Sequence, residues 1–237
     1  MSSRKGAKRR EQSRQYKCLD CIIAFFISIL IVSNIASSAK IVDLGFSLWG
    51  IPMAFDGGTL LFPIAYVLGD ILTEVYGFAV SRRVIWIGFG ALALCSGLFF
   101  LLRALPGDPS WEAYAGSAAF DAILGGISRG GIALASLVGY LAGSITNAAI
   151  HSRLKVLMQG KRLWVRTMAS SLVGELLDTL AFVGIATLTG VFGWELFASL
   201  VLTNYLFKIC IEASVTPITY LASAALKKAE ALDVYDR

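Results

Sequence analysis

Charge is scarce in this sequence. Asp, Glu, Lys and Arg make up 16% of its 237 residues, and hydrophobic types make up 57%. A soluble domain carries about a quarter charged residues. Together with a mean hydropathy of +0.71, this excludes an ordinary soluble domain. Histidine is scarcer still, with His151 alone in the chain. An HExxH zinc protease needs two on one helix, so that chemistry is excluded. Cysteine contributes four residues, of which only Cys18 and Cys21 are spaced as CxxC. No second pair follows and no His pair exists, which argues against a zinc site. Cys95 and Cys210 fall within apolar runs and read as small packing residues. No Walker A loop is present, so this chain does not itself hydrolyse ATP. Neither a metal nor another cofactor is expected.

Long apolar runs are what the sequence has instead. About 20 apolar residues span a bilayer as a helix. Six segments qualify, near 21–39, 57–79, 84–105, 130–150, 168–189 and 196–221. The runs are too long and continuous for the ~10-residue alternating strands of a membrane β-barrel. The expected fold is an all-α integral membrane protein of six transmembrane helices, a count compatible with two inverted three-helix halves. Residues 1–18 read as a basic, disordered tail, 19–222 as the membrane domain and 223–237 as a second tail. Trp49, Trp111 and Trp194 suit one aromatic belt, and Trp86 and Trp164 the other.

Basic residues orient the chain. With six crossings, 17 of the 21 Lys and Arg fall on one side. The positive-inside rule makes that side, and both termini, cytoplasmic. The expected location is the inner membrane, multi-pass. The net charge of +5 is then a topology signal and not a nucleic-acid footprint. The first run lacks a clear A-x-A-type cleavage site and reads as a retained span. Lys155, Arg166 and Lys227 read as loop or tail cations. His151 reads as a residue of a cytoplasmic helix end, explained by solvation or the helix dipole.

A second group of polar residues falls inside the runs: Asn34, Asp70, Glu74, Asn147, Glu175, Asp178, Asn204, Lys208 and Glu212. A charge near the bilayer centre costs at least ~2.5 kcal/mol on insertion scales. Asp70 and Glu74 are four residues apart and share a helix face. Glu175 and Asp178 form a matching pair on the fifth span. Lys208 is their natural counter-ion, bridging to Asp70 or Asp178, or pairing locally with Glu212. Gly139 and Gly143 form a GxxxG, read as close packing within one subunit. Pro63 and Pro217 are candidate kinks.

The run FPIAYVLGDILTEVYG with SRR (62–77, 81–83) resembles the queuosine precursor transporter family, also called the vitamin uptake transporter family. SNIASSAK (33–40), SLVGYLAGSITNAAIHSRLK (136–155), LWVRTMASSLVGELLDTLAF (163–182) and NYLFK (204–208) match in order. The resemblance covers residues 19–222. It implies a six-helix inner-membrane carrier of a 7-deazaguanine such as 7-cyano-7-deazaguanine. By motif position it carries Asp70, Asp178, Asn204 and Lys208 onto this chain, with Glu74 beside them. Asn147 stands where many members carry Asp.

That cargo suits the residues. A guanine-like edge offers two donors that one carboxylate can accept together. Asp70 or Asp178 could do so, while Lys208 donates to the ring carbonyl. Tyr66, one turn from Asp70, is the best stacking candidate, ahead of Tyr76, Phe182 and Tyr205. The expected partners are a small heterocycle and the bilayer. Monomer and homodimer both remain open. The expected function is carrier-mediated import by alternating access, not enzyme catalysis. Two alternatives stand beside it: the membrane subunit of an ATP-driven importer, and an intramembrane aspartyl enzyme built on Asp70 and Asp178.

Overall fold

The computed structural model describes residues 16–48, 50–128 and 130–235. Most of the expected basic tail lies outside the described residues, as do Trp49, Arg129 and Arg237. The chain begins with α1 (Leu19–Ala39), followed by a hairpin of β1 (Ile41–Leu48) and β2 (Ile51–Asp56). A short 3₁₀ turn (Gly57–Leu60) leads into α2 (Phe62–Tyr76) and α3 (Phe78–Ala104). Next come α4 (Pro109–Tyr114), α5 (Gly116–Ser128), α6 (Gly131–Leu157), α7 (Leu163–Leu188) and α8 (Trp194–Glu230).

Among the described residues, five stretches are long and apolar enough to cross a membrane. They are Leu19–Ala39, Phe78–Ala104, Gly116–Leu157, Leu163–Leu188 and Trp194–Glu230. This is an α-helical membrane protein. The expected span 57–79 takes a different form. Its regular helix is α2, with 15 residues, or about 22 Å. The preceding 3₁₀ turn supplies the rest of its length. Pro63 sits in the first turn of α2, where its missing N–H costs nothing, so it starts the helix and does not kink it. Gly77 adopts φ 85°, which ends α2 and lets α3 begin at once. Glu74 consequently lies in the last turn of α2, not well inside a longer helix.

The hairpin departs from an all-α architecture. Its antiparallel strands pair Ile41 with Asp56 and Leu48 with Ile51. Gly50, at φ 80°, makes the tip. β1 is largely exposed, whereas Met53, Ala54, Phe55 and Asp56 of β2 are buried. β2 packs against α8, where Phe55 stacks on Phe207 with ring centroids 4.8 Å apart. Ser199 of α8 donates to the Pro52 carbonyl.

α6 and α7 form the tightest helix pair. A Cβ on Gly143 would collide with the Tyr66 hydroxyl, Asp178 Cβ and the Gly174 carbonyl. A Cβ on Gly139 would meet the Asp178 carbonyl and carboxylate. The GxxxG is thus occupied by contacts within the chain. Gly126, which forms a second GxxxG with Gly130, packs against Ser38 of α1 and Ile132. An apolar cluster around Phe26, Leu30, Leu72, Val75, Val84 and Tyr140 ties α1, α2, α3 and α6 together. A second, around Ile132, Phe182, Val183 and Leu200, joins α6, α7 and α8.

The described ends of the chain meet at one end of the bundle. Lys17 and Cys18 donate backbone N–H groups to Glu230. Val234 N–H bonds to the Val75 carbonyl. The hairpin, Ser38 with Ile123, and Gly131 with Thr189 mark the other end.

Candidate functional site

Four helices line the polar interior with side chains at helical spacing. α2 supplies Tyr66, Asp70 and Glu74, and α6 supplies Asn147, His151 and Lys155. α7 adds Ser171, Glu175 and Asp178, and α8 adds Lys208 and Glu212. A spacing of three or four keeps each set on one face. All of these residues are buried.

In the first layer, Lys208 Nζ donates to Asp178 Oδ2 at 2.8 Å and lies 3.4 Å from Thr179 Oγ1. Of the partners open to Lys208, the structure shows Asp178 and not Glu212. Lys208 also lies over the Phe62 ring, 4.9 Å from its centroid, an additional cation–π contact. The Tyr66 hydroxyl points toward Gly143 and Asp178 and has no hydrogen-bond partner.

The second layer holds Glu175 and Glu212 with Ser171, which donates to Glu212. Ser171 Oγ also lies 3.5 Å from Asn147 Oδ1. Asn147 Nδ2 donates to Asp70 Oδ1 at 2.8 Å, and Asp70 Oδ2 has no partner. Asp70 therefore faces an amide and an imidazole, not Lys208.

The third layer surrounds Glu74. Arg166 grips its carboxylate with two nitrogens, at 2.5 and 3.2 Å. Lys227 donates to it at 2.6 Å, and His151 Nε2 lies 3.2 Å away. Lys155 donates to the Glu74 carbonyl and Asp233, each at 2.5 Å. His151 Nδ1 is 3.4 Å from Asp70 Oδ1, so the imidazole bridges the second and third layers. His151, Lys155 and Arg166 are at most 1% exposed. This corrects their expected place as solvated loop or helix-end groups. Sequence reasoning missed all three as site residues. The available signal was spacing: His151 and Lys155 continue the fourfold step from Asn147.

Other expected site residues lie elsewhere. Asn34 is buried but donates to Leu30 of its own helix, outside this polar interior. Asn204 belongs to a separate constellation, where its Nδ2 donates to Asp56 Oδ2 at 2.8 Å. Ser37, Thr59 and the Gly58 N–H complete the shell of Asp56. This carboxylate, missed by sequence reasoning, pins the hairpin base between α1 and α8. The remaining stacking candidates are engaged away from the centre: Tyr76 donates to Glu230, Tyr205 to the Leu172 carbonyl, and Phe182 packs on Phe192. Cavity space beside the site is small. The void bounded by Phe62, Tyr66, Tyr140 and Asn147 measures about 20 Å³, room for one water.

Gly126-Ile127-Ser128-Arg129-Gly130 spells GxSxG. A hydrolase uses that pattern between a strand and a helix, with a histidine at hand. Here Ser128 ends helix α5 and is buried. The single histidine is committed to Asp70 and Glu74. The pattern forms no Ser–His pair.

A family profile described as "Putative vitamin uptake transporter" matches residues 56–222. The chain belongs to this vitamin uptake transporter family. It is 29% identical to the "Queuosine precursor transporter" of Escherichia coli (strain K12) over 203 residues, covering 85% of this chain and 84% of that protein. It is 25% identical over 174 residues, 73% of each chain, to a Bacillus subtilis (strain 168) protein named "Probable queuosine precursor transporter". No solved structure matches the chain significantly. The matched span includes the first two polar layers, the third apart from Lys227 and Asp233, and the Asp56 shell apart from Ser37.

Proposed function

We propose that this protein imports a queuosine precursor, a 7-deazaguanine such as 7-cyano-7-deazaguanine, across the inner membrane by alternating access. The observation that carries the reading is the first layer with its neighbour. A buried Lys208–Asp178 pair faces a Tyr66 hydroxyl without a partner. Asp70 keeps one carboxylate oxygen unpaired close by. Unpaired buried polar atoms cost stability, and a ligand with complementary groups repays that cost. The cargo's N1–H and exocyclic amine suit a carboxylate, and its ring carbonyl suits Lys208. The names of the two relatives support the same cargo.

In this reading the small void is the closed form of the binding site. Glu74 with its three cations closes the cytoplasmic side, and Asp56 with Asn204 closes the outer side. Six crossings, the sixth being the 3₁₀ turn with α2, and cytoplasmic termini follow from the basic residues gathered at one end.

The test is uptake of labelled 7-cyano-7-deazaguanine into proteoliposomes holding this chain alone. Saturable uptake is expected. Asp70→Asn and Asp178→Asn should each lower it at least tenfold while inserting normally. Wild-type uptake by both variants would overturn the site. Uptake that appears only after adding an ATPase partner would favour the importer-subunit alternative.

A further inference from the structure

Glu175 and Glu212 are the acids that the binding reading leaves unused. Both are fully buried, one on α7 and one on α8. Their side chains lie within hydrogen-bonding reach of each other. Neither oxygen of Glu175 has a donor, and Glu212 Oε2 has none. Among the described residues, only Ser171 donates to the pair.

The cation that faces the pair is already committed to another carboxylate. From α2 the pair is faced by Asp70 and Tyr66. From α7 comes Asp178, and from α8 come Lys208 and Tyr205. On the α6 side, Asn147 reaches Ser171, and His151 lies behind it between Asp70 and Glu74. Lys208 reaches the pair from the first layer, where it is bonded to Asp178. Two adjacent carboxylates that share a single hydroxyl donor cannot both stay ionised in a low-dielectric interior. A proton held between them supplies the missing donor.

We propose that Glu175 and Glu212 form a proton-binding carboxyl pair that couples substrate import to proton entry. The coupling rests on the transport reading above, whereas the bound proton does not. One proton enters from the outer side, binds a carboxylate oxygen of the pair and leaves to the cytoplasmic side. No bond other than O–H forms or breaks. An exit route is laid out from the pair to the basic end of the bundle. The groups on it able to take up and release a proton are Asp70, His151 and Glu74, whereas Ser171 and the Asn147 amide only join the pair to Asp70 by hydrogen bonds.

Infrared spectroscopy of the intact protein in lipid at neutral pH tests the bound proton without substrate. The C=O stretch of a protonated carboxyl group is expected, and Glu175→Gln with Glu212→Gln should remove it. Its absence from the wild type, or its persistence in the double variant, would overturn the proposal. Proteoliposomes with an imposed pH gradient, acid outside, test the coupling. One proton per substrate gives about tenfold accumulation per pH unit. Either single Gln variant should lose accumulation yet retain exchange of labelled for unlabelled 7-cyano-7-deazaguanine. Exchange without accumulation in the wild type, or full accumulation in both variants, would overturn the coupling. Absence of exchange in the wild type would strike the transport reading instead, and the infrared result would still decide the pair.

Discussion

Lys208 sets the charge balance of the first layer. It is buried, bonded to Asp178 and stacked over Phe62. Removing one partner of a buried ion pair strands the other charge, at a cost of about 3–5 kcal/mol. Lys208→Met should therefore lower the thermal unfolding midpoint in detergent markedly. The double variant Lys208→Met with Asp178→Asn should recover most of that loss, because no ion is left behind, but should not recover uptake. Equal midpoints for Lys208→Met and wild type would show that water reaches the pair. Asp70, Asp178 and Lys208 were legible in the sequence because an ionisable group stands out in an apolar run. His151, Lys155, Arg166 and Lys227 were not. They border the runs, where a cation is expected in water, and only the fold turns them inward onto Glu74.

Between elements, glycine decides how closely α6 meets α7. Gly143 faces the Tyr66 hydroxyl and the Gly174 backbone, and the backbone cannot move aside as a side chain can. Gly143→Leu should separate the helices, cost about 1–3 kcal/mol as overpacking and displace Tyr66 from Asp178. The check is a lowered unfolding midpoint together with loss of uptake. Gly69, on the same helix as Asp70, has open space where a Cβ would go. Gly69→Ala should leave the midpoint unchanged or slightly raised, which separates a packing effect from a general intolerance of substitution. The long helices were legible from apolar length alone. The hairpin was not, because residues 41–56 look like a short external loop. Its base is anchored where Asp56 meets Ser37 and Asn204, which are 19 and 148 residues away in sequence.

Across the whole molecule, the basic end is sealed by both described termini. Asp233 receives Lys155 and Lys227, and Val234 bonds to the end of α2. Truncation after Glu230 should leave Lys155 and Lys227 without the Asp233 carboxylate. Amide hydrogen exchange across the end of α2 and the end of α6 should then speed up, while the hairpin end remains as protected as before. Uniform protection would show that the tail is a passive cover. The gathering of cations toward one end of the bundle was legible from their uneven distribution along the chain. Their convergence on one carboxylate was not, since it is a property of the packed helices and of no single segment.

α8 has 37 residues, about 55 Å, far more than a bilayer's hydrocarbon thickness of ~30 Å. Near its start, Ser199 holds the hairpin through Pro52. Near its finish, Lys227 holds Glu74. In the transport reading, a helix fastened at both ends, with Pro217 inside it as a point of bending, would act as a seesaw. Tilting it to free the hairpin would drive its other arm against the basic cluster. Such a beam would keep the two entrances from opening together, with no signal passed from residue to residue through the protein between them.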